Sequence, residues 1–452
     1  GDLAGQWYPK NQTFHFKKIP GATNRTLFED TFHEMRMSVD LGVLRVKEKR
    51  IDFYQISGRN QVPAWLESKE YYNEGRIQDL QGLLNYSPLR ILYRFVVENK
   101  TETATIGDLA ALVNRRPEQL QAGFQSYVDA GYLKLADDLY SFTALGRHYA
   151  RVAYEKKDFD TFYAASMGEN LSADSASISL DLVDKKLRIR GIQQVMISDS
   201  LKAEFIPYDE ALTFQKGRDF NFLGEIKIGD YRFRGPDFAF KFNDFTAQFA
   251  QIDSITFIPK GQSKEFGGAF RYGSGSLILS PPGNKSGRFG VAEYPKLIIP
   301  KGMTAHFDEP WRARGVYDTT HYFKVPSVTL DSLTQKAPIF VGTFHSKGLL
   351  PPLNTQLILK PDQSFGFTYT QKSPLKIYQN RANLSLSAAI EMDKKGLHTA
   401  GIFSMDGFQS TMKEAFMYPD SLISTGTEGK LGEMANKKGP IASLPGHRFT
   451  WL

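Results

Sequence analysis

The sequence predicts a mainly β chain, built of stacked antiparallel sheets in sandwich- or solenoid-like modules, with one small α-helical domain inserted in its first half. Three observations carry this reading. Apolar and polar residues alternate over many short segments, which is the two-residue period of strands that bury one face. Aromatic residues, which favour strands, are abundant, with 34 Phe and 21 Tyr in 452 residues. Helical spacing with capping signals gathers between Tyr86 and Arg151.

The elements follow in order. Thr13-Phe-His-Phe-Lys17, Met37–Val46 and Arg50–Gln55 alternate, so residues 1–85 read as a β-rich segment. Its last part, Val62 to Asn85, reads as an irregular or helical lead-in. Ser87-Pro88-Leu89 then opens a helix running to Glu98, and Thr105–Val113 reads as a short second one. Pro117–Ala130 reads as a third, with Pro at a first helical position and Gly131 past its end. Tyr132–Thr143 is a small hairpin, and a closing helix starts at Ala144. Leu109, Leu112, Leu120, Phe124, Tyr127 and Leu133 would form the core of this 86–151 domain. Residues 152–174 read as a polar connector.

From Ser175 onward strands and turns dominate, in three expected β modules at 175–294, 295–373 and 374–452. Ser177–Val183 turns at Asp184-Lys185-Lys186 into Leu187–Arg190. Asp219–Gly229, Tyr231–Arg234, Asp237–Phe242, Phe245–Phe249 and Ile255–Ile258 alternate in succession. In the last module Ala382–Ser387 and Thr399–Phe403 read as a hairpin. Alternation alone does not separate a sandwich from a solenoid.

Composition narrows the function. A net charge of +7 spread over the whole length implies neither a nucleic-acid arm nor a membrane-binding patch. The chain has no Cys, which excludes disulfides, thiolate metal sites and a Cys nucleophile. Absence of Cys also fits an exported protein that avoids stray oxidation. No apolar run approaches the roughly 18 residues of a membrane-spanning helix. The chain opens on Gly-Asp-Leu, and we expect it to be a piece of a longer polypeptide.

The order of elements in 86–151 resembles the winged helix-turn-helix fold of bacterial regulators. That resemblance implies a third helix in the major groove and a wing on phosphate. The residues argue against this use. The third helix carries Glu118, Gln119, Gln121, Gln125, Ser126 and Asp129, and the hairpin tip is Asp137-Asp138. Only Arg115 and Arg116 are placed to meet a phosphate. Eight basic and seven acidic side chains leave the block at +1, whereas duplex binding draws on several converging cations. A packing or protein-docking module is the expectation, with nucleic-acid binding through Arg115 and Arg116 as the alternative.

Asp followed by Ser or Thr and a small or apolar residue recurs at unequal spacing. This triplet resembles the O-glycosylation sequon of exported Bacteroidota proteins and would place sugar on Ser175, Ser200, Ser254, Thr319, Ser332 and Ser421. Composition alone would give about one or two such triplets. The same letters arise where Asp closes its own backbone in a turn before a strand. More widely, Ile189–Ser200, Gly217–Gly224, Phe307–Tyr317 and Phe340–Phe344 with Leu350-Pro-Pro352 look like stretches of very large exported β-repeat proteins of the same bacteria. That resemblance would span most of 35–425, and it implies no activity.

Catalytic motifs are sparse. Neither a phosphate-binding Gly-x-x-x-x-Gly-Lys-Ser/Thr loop nor a Gly-x-Ser-x-Gly elbow occurs. Gly267-Gly268 and Gly273-Ser-Gly275 read as hairpin loop, since no helix follows them to receive a phosphate. The best metal candidates are His306, Asp308 and His321, because alternate residues of one strand share a face. Asp308 and Glu309 are also a candidate carboxylate pair for glycoside hydrolysis, which requires a defined separation across a cleft. Trp311, Tyr317, Tyr322 and Phe323 can stack on sugar rings or fill a core. The expectation is a non-enzymatic scaffold or protein-binding segment of a large exported bacterial envelope protein, with no cofactor. It would sit in the periplasm, outer membrane or cell surface of a Gram-negative bacterium, among other chains of an envelope or surface assembly. The rival readings are a nucleic-acid-binding protein and a carbohydrate-binding or carbohydrate-active surface protein.

Overall fold

A computed structural model describes residues 3–18, 27–55, 64–166, 176–258, 270–271, 273–333, 338–432 and 442–452. The chain is mainly β, with 49% strand and 15% helix, in large antiparallel sheets. It forms two compact units. The first comprises 1–226, 239–247 and 279–291, and the second 227–238, 248–278 and 292–452.

Two antiparallel ladders make the frame of the first unit. One runs Leu3–Tyr8, Thr13–Lys18, Leu41–Arg45, Arg50–Tyr54, Ile178–Asp181, Leu187–Arg190 and Ala211–Phe214. The other runs Phe28–Asp30, Met35–Ser38, Trp65–Ser68, Tyr163–Ala165, Val195–Ser198 and Ala203–Pro207. Both ladders reach the strand Phe220–Ile228. Inward positions of the alternating segments supply a core of Phe162, Phe205, Phe214, Phe220, Phe240, Phe242 and Phe245, all fully buried. Their rings meet edge-on or tilted, as Phe205 and Phe240 do at 5.1 Å between centroids, the arrangement their quadrupoles favour. The expected hairpin forms, pairing Ile178 with Ile189 and Leu180 with Leu187. The stretch expected as a connector, 152–174, contributes the strand Tyr163–Ala165, which joins Glu67 on one side and Met196 on the other. Three residues are too few for a two-residue period to register.

The helical block belongs to this unit. Helix α1 (Glu74–Gln81) precedes α2 (Pro88–Asn99), α3 (Ile106–Leu112), α4 (Pro117–Asp129) and α5 (Ala144–Tyr154). Local chemistry fixes their ends. Ser87 accepts the Arg90 N–H and Pro88 starts α2, while Lys100 ends it in the left-handed region. Thr105 and Asp108 cap α3 reciprocally, and Thr143 caps α5. Strands Leu133–Ala136 and Leu139–Phe142 form the expected hairpin, and Thr103–Thr105 adds a third strand. Leu92, Leu109, Leu120, Phe124, Tyr127 and Tyr149 are the buried centre, with Leu112 at its margin. Gly146 sits where an added Cβ would lie 1.9 Å from the Tyr132 carbonyl oxygen, so only glycine lets α5 pack there.

His148 of α5 is buried, and desolvation, aided by the charges of Lys157 and Arg36, drives its pKa from 6.5 down to about 4 against the pull of Glu70. The unfolded chain therefore takes this proton below pH 6.5, and the folded chain only below about 4. Stability is expected to fall by up to about 3 kcal/mol as pH drops through that window. Denaturant titrations of the wild type and His148→Leu at pH 7, 5.5 and 4.5 check this. The variant should lose most of the slope, and an unchanged slope would place the titrating group elsewhere.

The main sheet of the second unit is an antiparallel meander. Its order is Phe270–Arg271, Met303–His306, His321–Val325, Ile339–Ser346, Leu353–Leu359, Phe365–Tyr369, Ile390–Asp393, Gly396–Met405, Phe408–Met417, Leu422–Leu431 and Ala442–Trp451. The Ala382–Leu386 strand pairs with Gly396–Met405 through Leu384 and Phe403, as the alternation predicts. A smaller ladder joins Gly273–Ile278, Lys296–Ile299 and Val328–Leu330. This corrects one expectation: Gly273-Ser-Gly275 belongs to a strand, not a hairpin loop. The glycine at 275 is a packing requirement, since a Cβ there would lie 2.0 Å from the Ile298 carbonyl oxygen. Gly267-Gly268 lies outside the described residues. The segment after Met303–His306 fills the interior. Arg312 is fully buried, and the Tyr317 hydroxyl donates to the Met417 carbonyl and accepts from the Leu397 N–H, each at 2.8 Å.

Candidate functional site

The three candidate metal ligands take three different partners. His306 Nε2 lies 3.2 Å from Thr304 Oγ1. Asp308 forms a two-point contact with Arg271 at 3.2 and 3.4 Å. His321 Nδ1 donates to Asp318 Oδ1 at 2.9 Å. The Met303–His306 strand ends before Asp308, so the alternation that would put both residues on one face stops short. Among the described residues no three His, Asp or Glu side chains gather at a spacing suited to a metal ion. Glu309, the other half of the candidate carboxylate pair, is bound to Arg312 at 2.8 Å. Of the aromatics, Tyr317 and Phe323 are buried, Tyr322 stacks on His345, and Trp311 is 46% exposed.

Trp311 stands at the rim of an open cavity of about 1370 Å³, all of whose lining residues belong to the second unit. Strand ends and turns build it: the 311–316 loop, the start of His321–Val325, the turns at Lys347, Gln379 and Lys394-Lys395, and the strands around Tyr418–Ser421. His321 and Ser424 line it, each only 2% exposed. His321 Nε2 and Ser424 Oγ have no hydrogen-bond partner among the described residues. Hydrogen bonds from Thr320 and His321 outweigh burial and hold the Asp318 carboxyl down at about 2, so Asp318 is an anion fixing the His321 ring. Ala313, Arg314, Lys347 and Gln379 all border the cavity with positive φ, a conformation that costs non-glycine residues energy and that clusters at ligand sites. Alternation does not reveal this assembly, because its members sit at turns and on separate strands scattered over more than a hundred positions.

The described Asp-Ser/Thr triplets lie at turns and strand boundaries. Ser200 and Thr319 are exposed, Ser254 and Ser332 half-buried, and Ser421 buried with its hydroxyl on Asp420. Ser332 donates to the Ala292 carbonyl. Ser175 lies outside the described residues. At the start of α4, Arg115 is engaged: it donates to Asn85 Oδ1 at 2.8 Å and lies over the Tyr86 ring. Arg116 is exposed at the N-cap, and Glu118, Gln119, Gln121 and Gln125 are exposed along the helix.

No protein-family model matches the chain, and no curated protein or solved structure is similar to it.

Proposed function

We propose that the chain is a non-enzymatic β-scaffold segment of a large exported bacterial envelope protein, and that it binds other protein chains by adding their strands to its open sheet edges. The edge strand Leu3–Tyr8 carries this reading. Among the described residues it pairs on one side only, with Thr13–Lys18, and all six of its residues are exposed. Its sequence, Leu-Ala-Gly-Gln-Trp-Tyr, holds no charge and no proline, the two devices that usually protect an edge from a further strand. Leu3, Trp7 and Tyr8 would fill pockets of an added strand's side chains. The opposite case is Ala442–Trp451, which among the described residues also pairs on one side only, with Leu422–Leu431, but carries Pro445 and Arg448.

A photo-crosslinking residue at Gln6, expressed in the native host, tests this. The expected result is a discrete crosslinked protein partner that disappears when Ala4 is replaced by Pro. Equal crosslinking from Leu83, an exposed position on the helical block, would refute strand addition. Export is supported by the absence of Cys and by the triplets, of which Ser200 and Thr319 are the most accessible. Sugar found there by glycopeptide mass spectrometry is the expected result, whereas bare residues in a cytoplasmic fraction would remove the envelope part of the reading.

The block α2–α5 with its three short strands reads as a winged-helix-like insert that docks protein. The amide-rich and acidic exposed face of α4 and the engagement of Arg115 favour protein over duplex. Salt-dependent duplex binding lost in Arg115→Ala/Arg116→Ala would reverse that preference.

A further inference from the structure

The rim of the cavity in the second unit bears Arg314, Lys347, Lys394, Lys395 and Arg448, all exposed. None of the five forms an ion pair among the described residues, whereas Lys296, Lys360 and Lys430 of the same unit do. Three carboxylates also face the cavity, and two are already engaged: Asp318 holds His321 and Thr320, and Asp420 accepts from Ser421. Glu414 is the third. Hydrogen bonds leave these carboxylates charged, so five cations face three anions, and a positive excess around a concave surface raises the local concentration of anions. Beside them Trp311 offers an exposed ring, with Phe416 and Tyr418 further along the wall. His321 and Ser424 line the floor, and His321 Nε2 and Ser424 Oγ are buried there without a hydrogen-bond partner among the described residues. A buried polar atom in that state costs free energy unless a ligand or solvent meets it.

We propose that this cavity binds an anionic oligosaccharide, a chain of sugar rings bearing carboxylate or sulfate groups. The cations take the charged groups, Trp311 stacks on a ring face, and His321 Nε2 and Ser424 Oγ meet sugar hydroxyls. The fit rests on all three chemistries together. A simple inorganic anion would use only the cations, and a neutral glycan would leave the positive excess unmet. The volume exceeds the range of common small-molecule pockets and suits several linked rings. Strand addition at Leu3–Tyr8 is independent of this site.

Titration calorimetry on the full chain tests the assignment with four probes: hexagalacturonate, a sulfated galactan hexasaccharide, maltohexaose and inorganic sulfate. Binding of one or both anionic sugars is expected, with maltohexaose and sulfate at least about tenfold weaker. Comparison of the first two tells carboxylate from sulfate. Lys394→Ala/Lys395→Ala should weaken binding about tenfold and flatten its salt dependence, while Trp311→Ala should weaken it with the salt dependence kept. Because Arg312 packs on Trp311, Arg448→Glu serves as a second variant, and it should also lose about tenfold. Equal binding of maltohexaose, equal binding of sulfate, indifference to both Trp311→Ala and Arg448→Glu, or silence from both anionic sugars would each overturn the proposal.

Discussion

Replacing Arg218 by Met is expected to destabilise the first unit by about 3–5 kcal/mol, the usual result of removing one partner from a buried ionic cluster. Arg218 is 3% exposed and reaches Glu34 and Glu70 at 3.2 Å, Asp160 at 3.3 Å and the Asn243 side-chain Oδ1 at 3.1 Å. Its guanidinium also lies 4.8 Å from the centre of the Phe242 ring. Asp160 has no exposure and depends on Arg218 and on the Ser68 hydroxyl at 2.7 Å. Burial pushes the Asp160 pKa up even with Arg218 present, so without the guanidinium its charge has little support. Glu70 is the contrasting member. Lys285, Arg218 and Lys157 overcome its burial and hold it down to about 2. Arg218 itself has φ of +73°, and the contacts at its tip maintain that backbone conformation. Loss of amide-exchange protection should therefore appear at 34, 68–70, 157–160 and 285 as well as at 218. Adding Asp160→Asn should recover part of the loss, because it removes the stranded charge. A loss below about 1 kcal/mol would mean that Asp160 is already neutral in the folded protein.

That cluster also shows where reading the sequence succeeds and where it stops. The helical block was legible because its signals are local: Ser87-Pro88, the Thr105/Asp108 pair and Gly131 lie within a few residues of the ends they set. The strands were legible for the same reason, as the Ile178–Ile189 register shows. Arg218 and its partners were not, because Lys285 and Glu70 meet across 215 positions, and no period links them. The cavity failed to show for a related reason. Its cations lie in turns and short loops and, for Arg448, within the strand Ala442–Trp451, positions where a Lys or Arg is ordinary, and their convergence is a property of the meander. His306 and Asp308 erred in the opposite direction: two-residue spacing suggested a shared face, but the strand between them ends. The same spacing rule holds inside elements and fails at their boundaries.

The second large effect is expected at Arg312, where Met should cost the second unit about 3–5 kcal/mol. Arg312 is fully buried, and four of its five N–H groups donate. Nε and Nη2 hold Glu309 at 2.8 and 3.2 Å, Nη1 donates to the Asp393 carbonyl at 2.7 Å, and Nη2 also donates to the Phe365 carbonyl at 3.0 Å. Phe307 and Trp311 pack against the guanidinium. Met fills the volume but leaves a carboxylate and two carbonyls unanswered in the interior. Lys keeps the charge, yet a single ammonium cannot span three acceptors in one plane, so Arg312→Lys should recover only a minor part. Denaturant midpoints for the two variants check the order wild type, Lys, Met. Equal stability of Lys and wild type would mean that charge alone matters and the fork does not. The next two residues, Ala313 and Arg314, have φ of +44° and +63° and border the cavity. Arg312 is thus the fixed point from which a strained rim projects, and Arg312→Lys should weaken oligosaccharide binding even at temperatures where the unit remains folded. Binding that survives in a folded Arg312→Lys protein would instead place the recognition on the Lys394-Lys395 side of the cavity, and the strain at 313–314 would then belong to folding alone.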